Sequence, residues 1–516
     1  MAGPNPAPPF NPVRDALTAG RLCYVVELVA SQLTREAKLM HAASQLAQVP
    51  GLVAGSVTSY AGGAMGHDPI RVAAAARARG LFPNVHLTCV NKDRLEIRHF
   101  LEDVHALGIE NVFAITGDYP QGVDRSAPAP FPAPFDLDSV QLVEFISELR
   151  ARQGMPFYIS VAVSPFKYTE ADCAYQYLKL EKKIRAGADY AVTQLGYDVK
   201  KFRELKRYLD ERGLKTPVLG NVYILTAKAS ERMAKGTPPG CWVAPELVEK
   251  IQDETKKSTD KGLLARLERA ARMAAVLRGM GYAGAYIGGD HQADRVRWVI
   301  KRSEELAPKW EEIAEEIVYA PKGGFYFFES PKAPPKPIPA SVKFFEATTP
   351  TGIHTGVFRN LLRSFFATVD KYPSAAKLLE RAEVAVKKPQ FGCQSCGNCV
   401  LADMEFVCPM TCPKNLRNGP CGGTLNGQCE VVDQQCIWVE VYDRAKSENR
   451  IADLNTFIPA RNRNLQDTSS WINFFLDRDS RPEHPAELVQ ITSVPPKKGP
   501  PPPSPVEQLV KANGAK

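Results

Sequence analysis

Several familiar signatures are missing from this sequence, and each absence narrows the reading. No G-x-G-x-x-G turn follows the first apolar run, which disfavours a dinucleotide fold built on that fingerprint. No run of about 18 apolar residues is present, so there is no candidate membrane-spanning helix. The amino end, MAGPNPAPPFNP, has no charged segment followed by an apolar one, so no secretory signal is read there and a cytoplasmic protein is expected. Basic residues are not massed anywhere: 65 Lys and Arg against 57 Asp and Glu leave +8 spread along 516 residues. That balance suits a small acidic ligand or an acidic protein partner better than a nucleic-acid duplex, which needs a clustered stripe.

What the chain does have is an alternation of strand and helix patterns. Hydrophobic residues make up 44% of it, enough for a large core and two or three domains. Buried-type strands are expected over residues 23–29, 53–58, 85–89, 112–116, 157–163, 190–194, 217–222 and 283–289. Each leads into an amphipathic helical stretch; after the third, Ile97, Phe100, Leu101, Val104 and Leu107 share one face and Gly108 closes it. Eight such units over about 290 residues predict an α/β fold, a (β/α)8 TIM-type barrel, in preference to an open doubly wound sheet. The expected organisation is a flexible Pro-rich arm (1–18), the barrel (19–310), a linker (311–345), a Cys-rich metal-binding domain (346–480) and a disordered Pro-rich tail (481–516).

In such a barrel the carboxyl ends of the strands meet at one mouth. Polar residues stand there on six strands: Glu27, Thr58, His86 with Thr88, Thr116-Gly117-Asp118, Ser164 and Gln194. Polar groups are costly in a core unless partnered, so their common rim reads as a site. Glu27 and Asp118, with no histidine cluster of metal type nearby, suggest acid/base work. Burial among Val26, Leu28 and Val29 would raise the pKa of Glu27 and keep it able to donate a proton; a salt bridge to a barrel Lys or Arg is the alternative. Lys182 and Lys183, beside Leu180 and Ile184, read as a solvated basic pair or as a phosphate contact.

These residues fall in an order that resembles the methylenetetrahydrofolate reductase family. The resemblance rests on Val26-Glu27-Leu28, Ser56-Val57-Thr58, His86-Leu87-Thr88-Cys89, Ala114-Ile115-Thr116-Gly117-Asp118, Lys182–Ala188 and Ala191-Val192-Thr193-Gln194, across roughly residues 20–305. It implies an oxidoreductase barrel that holds FAD (or FMN) and reduces 5,10-methylenetetrahydrofolate to 5-methyltetrahydrofolate. It implies Glu27 as the general acid, Asp118 beside flavin and pterin, and Gln194 on the substrate. Thr58, His86, Thr116, Gly117 and Ser164 would line the flavin, and Lys182 with Lys183 would approach its phosphates. The sequence departs from the family pattern at Leu28-Val29-Ala30-Ser31, at Leu195-Gly196-Tyr197, at Met233 in place of a nicotinamide-stacking aromatic, and at Gly288 and Gln292 in place of a folate-holding Tyr and Arg. The electron donor is therefore left open between NAD(P)H and a ferredoxin-like protein.

Twelve cysteines in a chain expected to be cytoplasmic point to metal or redox chemistry rather than disulfides. Cys23, Cys89, Cys173 and Cys241 are scattered. Cys393, Cys396, Cys399, Cys408, Cys412, Cys421, Cys429 and Cys436 crowd into 44 residues and read as metal ligands. The C-x2-C-x2-C run with a later Cys-Pro is like an iron–sulfur loop, and eight thiols suffice for two clusters; paired cysteines also build structural zinc sites. The stretch from Asn418 to Gly423 resembles the Cys-rich carboxyl-terminal module of some bacterial members of the family. A homo-oligomer or an electron-transfer partner subunit is compatible with this reading. The rival is a folate-dependent barrel methyltransferase, serving a corrinoid or thiol, with a zinc module for partner docking.

Overall fold

The computed structural model describes residues 10–31, 34–59, 66–120, 126, 135–348 and 357–479. Among them eight strands close into a barrel in sequence order: β1 (Cys23–Leu28), β2 (Leu52–Val57), β3 (Pro83–Thr88), β4 (Asn111–Ile115), β5 (Tyr158–Val163), β6 (Tyr190–Thr193), β7 (Val218–Tyr223) and β8 (Gly284–Gly288). Every neighbouring pair is parallel, including β1 with β8. The doubly wound alternative is excluded by that closure.

Side-chain alternation decides what faces inward. On β1, Tyr24, Val26 and Leu28 pack outward against the helices, whereas Cys23 and Val25 point into the barrel with Ala54, Phe113, Tyr190, Val192, Leu219 and Tyr286. Glu27 continues the inward series two residues on. The same parity turns Thr58, His86, Gln194 and Asn221 toward the axis at the carboxyl ends.

The lower end of the barrel is plugged by part of the stretch expected as a flexible arm (1–18), whose residues 1–9 lie outside the described ones. Pro12–Thr18 is a helix whose Val13, Ala16 and Leu17 are buried against the inward side chains of the strands. Asn11 caps it, accepting from the Val13 and Arg14 amides at 3.1 and 3.2 Å. Its own amide donates to Glu110 and Asn111 at 3.1 and 2.8 Å. The i, i+3, i+4 spacing of the three apolar residues was overshadowed by the neighbouring prolines.

The stretch expected as a linker over 311–345 is likewise partly bound. A helix, Trp310–Glu316, opens it, and Phe325 and Phe327 pack on the barrel core. The cysteine-rich region that follows has helices Val357–Asp370, Pro373–Phe391 and Ile437–Ser447 around irregular, cysteine-bearing loops. Trp438, Val441, Tyr442 and Ala445 share a core with Ala171, Ala174, Tyr175 and Leu178 of the barrel helix Glu170–Arg185. The Pro-rich tail expected over 481–516 lies outside the described residues. Among the described residues no helix is long and apolar enough to cross a membrane.

Candidate active site

A cavity of about 510 Å³ opens at the carboxyl ends of the strands. Glu27, Thr58, His86, Thr116, Gly117, Asp118, Ser164, Lys183 and Gln194 all line it, so nine of the residues singled out in the sequence meet in one place. Lys182 does not line it; Gln176, Lys179 and Lys183, spaced as one helix face, do. Of the expected pair only Lys183 faces the cavity, and Lys179, one turn before it, faces it too. Lys183 donates to the Ala162 carbonyl at 2.7 Å, and Lys179 to the Gly419 and Pro420 carbonyls at 3.0 and 2.9 Å. Burial pushes Lys182 and Lys183 each down to about 7.

Glu27 is walled in by protein and open only to the cavity. Burial raises its carboxyl to about 7, opposed by a hydrogen bond from Tyr286. No charge of a Lys or Arg acts on it among the described residues, which removes the salt-bridge alternative. Gly288 makes room at this spot: a Cβ there would lie 2.9 Å from the Tyr223 ring and 3.2 Å from Glu27 Oε2. The ring of Tyr223 from β7 presses into the space that Gly288 leaves.

A buried polar chain backs the acid. His86 Nε2 lies 2.9 Å from Ser56 Oγ and 3.4 Å from Tyr286 Oη, and Asn84 donates to Ser56 Oγ at 3.2 Å. Burial lowers His86 to about 3, so it stands neutral with its ring edge-on to Phe113. Tyr286 accordingly touches both Glu27 and His86.

Glycine is required at 117, where φ is +88° and a Cβ would come within 3.0 Å of Thr88 Cβ. Gln194 takes the Leu195 amide on its Oε1 at 2.9 Å, which fixes its side-chain orientation. Ser164 Oγ and Asn221 Oδ1 are buried on the cavity wall and have no hydrogen-bond partner among the described residues. Buried polar atoms of this kind await a ligand or water, so the donor set fits a large polar group such as a flavin and its substrate.

Sequence reasoning missed Tyr286, Asn221, Tyr223, Arg232 and Cys241, which also line the cavity. Inward parity would have found Asn221 and Tyr286. Lys414 and Glu430 carry no local mark, and Cys421, Gly422 and Gly423, singled out only as part of the cysteine cluster, arrive at the cavity with them.

The eight clustered thiols fall into two groups. Cys393, Cys396, Cys399 and Cys408 line a small cavity of about 30 Å³ with Lys387 and Glu383. Burial raises Cys408 to about 12, and the other three are close enough to add to that shift. Cys412, Cys429, Cys421 and Cys436 form the second group, linked by the same mutual influence. Cys421 belongs to it and also lines the main cavity. Among the described residues no three His, Cys, Asp or Glu side chains are gathered tightly enough for one metal ion. Four thiols around one cavity have the donor chemistry of an iron–sulfur cluster or of a structural zinc site.

Two family profiles match the chain: Methylenetetrahydrofolate reductase over residues 13–275, and Methylene-tetrahydrofolate reductase C terminal over residues 372–464. Methylenetetrahydrofolate reductase (NADH) 1 of Arabidopsis thaliana is 32% identical over 167 residues, covering 29% of this chain and 26% of the relative. Methylenetetrahydrofolate reductase 2 of Saccharomyces cerevisiae is 29% identical over 162 residues, or 31% and 26% of the two chains. The 5,10-methylenetetrahydrofolate reductase of Salmonella typhimurium is 29% identical over 144 residues, 28% of this chain and 44% of that one. The chain thus spans less than half the length of these curated relatives. A solved structure, an uncharacterized Clostridium thermocellum protein that binds two copies of 5-methyl-5,6,7,8-tetrahydrofolic acid, aligns with TM-score 0.41 and 12% identity over 58% of this chain and 99% of that one.

Proposed function

Since the chain belongs to the methylenetetrahydrofolate reductase family, we propose that it reduces 5,10-methylenetetrahydrofolate to 5-methyltetrahydrofolate in the barrel cavity. The observation that carries this reading is Glu27: a carboxyl open only to the cavity, raised to about 7, and hydrogen-bonded by Tyr286. Near neutral pH such a group can still give up a proton. Delivered to N10 of the substrate, that proton breaks the bond from N10 to the bridging carbon and leaves an iminium at N5. A reduced flavin, held by Thr58, His86, Thr116, Gly117, Ser164 and Lys183, would supply the hydride that turns the iminium carbon into a methyl group.

The chain's own residues bind, orient and protonate. Asp118 and Gln194 would grip the pterin from β4 and β6, and Ser164 Oγ and Asn221 Oδ1 offer further polar contacts. Electron entry through the cysteine-rich region is favoured by one specific observation: Cys421, a member of the inner thiol group, lines the same cavity. An iron–sulfur cluster on Cys412, Cys421, Cys429 and Cys436 would pass electrons there one at a time from a ferredoxin-like donor.

The test is anaerobic purification of the full chain with a visible spectrum and analysis of iron, acid-labile sulfide and zinc, followed by titration with 5-methyltetrahydrofolate. Flavin absorbance that bleaches on titration is the expected result. A colourless protein that exchanges the methyl group with a thiol or corrinoid would return the barrel to methyl transfer. Stoichiometric zinc without iron would remove the electron route.

A further inference from the structure

The barrel does not close its own site. Pro420, Cys421, Gly422 and Gly423 form part of the cavity wall together with Lys414 and Glu430. Lys414 and Glu430 are an enclosed ion pair, their side chains 3% and 4% exposed. An enclosed pair gives little net stability, because desolvation offsets the attraction; what it does give is a fixed direction. Here that direction is toward the catalytic strand end. The Lys414 ammonium donates to the Gly117 carbonyl at 2.8 Å, and Asp118 is near enough for its charge to act on Lys414.

The turn that Lys414 holds follows directly on the end of a strand. β4 ends at Ile115, and the Thr116 carbonyl takes the Cys89 amide at 3.2 Å. The next carbonyl is that of Gly117, in a left-handed conformation that only glycine adopts easily. The second glycine after Cys421 allows the wall to seat. A Cβ on Gly423 would fall 1.1 Å from Glu430 Oε2. From the barrel side, Gly240 sits at φ +79°, and a Cβ there would lie 2.4 Å from the Gly422 carbonyl oxygen. Backbone thus meets backbone where the loop Thr237–Cys241 and the Cys-Gly-Gly turn both border the cavity.

We propose that the cysteine-rich region is a structural part of the active site, with Lys414 a positioning residue that fixes the Gly117-Asp118 turn against which the substrate is held. This rests on the folate reading above for the identity of the substrate; the anchoring itself does not. Removing the anchor takes away the bond to the Gly117 carbonyl beside Asp118, so binding and turnover with folate suffer while the barrel stays folded.

The experiment uses the full-length holoprotein and the double variant Lys414→Met/Glu430→Gln, which removes both charges together. Hydrogen exchange by mass spectrometry over residues 109–121 is expected to speed up about tenfold, with β8 unchanged as the control for folding. The Kd for 5-methyltetrahydrofolate, by calorimetry, is expected to rise about tenfold at unchanged flavin content. Unchanged exchange over 109–121 in a variant whose β8 is protected overturns the proposal. Should the double variant fail to fold, Gly240→Ala decides by the same measurement, since it wedges the wall away from the barrel: faster exchange over 109–121 supports the anchor and wild-type exchange overturns it. Wild-type protein that binds no methyltetrahydrofolate would sink the folate reading alone, leaving the exchange result to judge the anchor.

Discussion

At the scale of single residues, the proposed chemistry depends on a carboxyl whose surroundings favour its protonated form. Burial dominates at Glu27, and the Tyr286 hydrogen bond works against it. Both effects have a sign in pH. The acid form is present below about 7 and is lost as pH rises through that value, so the folate step should slow on the alkaline side. Glu27→Gln keeps the shape but holds no transferable proton. It should retain flavin and lose about 10²- to 10⁴-fold in turnover with folate, read by stopped-flow oxidation of reduced flavin. Tyr286→Phe removes the bond that favours the ionised carboxylate, so the alkaline limb of the rate profile should move to higher pH. A profile that stays put in Tyr286→Phe would mean the tyrosine serves only to pack the barrel.

The elements matter through the faces they present. The helix Glu170–Arg185 turns Gln176, Lys179 and Lys183 to the cavity, while Ala171, Ala174, Tyr175 and Leu178 form a core with the second region. One helix therefore serves the site and the domain contact together. The helix Ser139–Gln153 works in the same way through its cap. Asp138 Oδ1 accepts from the Val140 and Gln141 amides at 2.8 and 3.1 Å, and Oδ2 accepts from the Arg417 and Asn418 amides at 3.1 and 3.0 Å. Asp138→Ala strips a helix cap and leaves buried amides unpaired across the contact. A loss of about 3 kcal/mol or more is expected by urea unfolding, from a cap worth ~1 kcal/mol and unpaired groups at ~1–3 kcal/mol each. Limited proteolysis should find the second region released before the barrel.

For the molecule as a whole, the two thiol groups differ in reach. Cys399 is exposed in the outer group, whereas Cys421 of the inner group borders the cavity. The proposed electron route would run inward across the second region, from the outer group to the inner one. Cys421→Ser should lower the iron content and abolish turnover driven by a protein donor. The bleaching of flavin by 5-methyltetrahydrofolate should survive in that variant, because serine keeps the shape of the cavity wall and this half-reaction passes no electron through the thiol group. Equal loss of both activities would place Cys421 in the fold of the cavity instead of in electron transfer.

The sequence by itself determined the barrel and most of its rim. Strand and helix periods are local properties, and eight repeats of them in order leave few topologies open. Glu27, His86, Asp118 and Gln194 were legible because each sits at the end of a strand pattern that can be seen within a few residues. Tertiary structure alone decided the rest. Helix phase, not adjacency, chose Lys179 over Lys182; the hidden apolar face of residues 12–18 became a plug only because an open barrel end was there to receive it. Lys414 reaches Gly117 across 297 positions of chain, and no local pattern encodes a contact that exists only once two separately patterned regions have packed together.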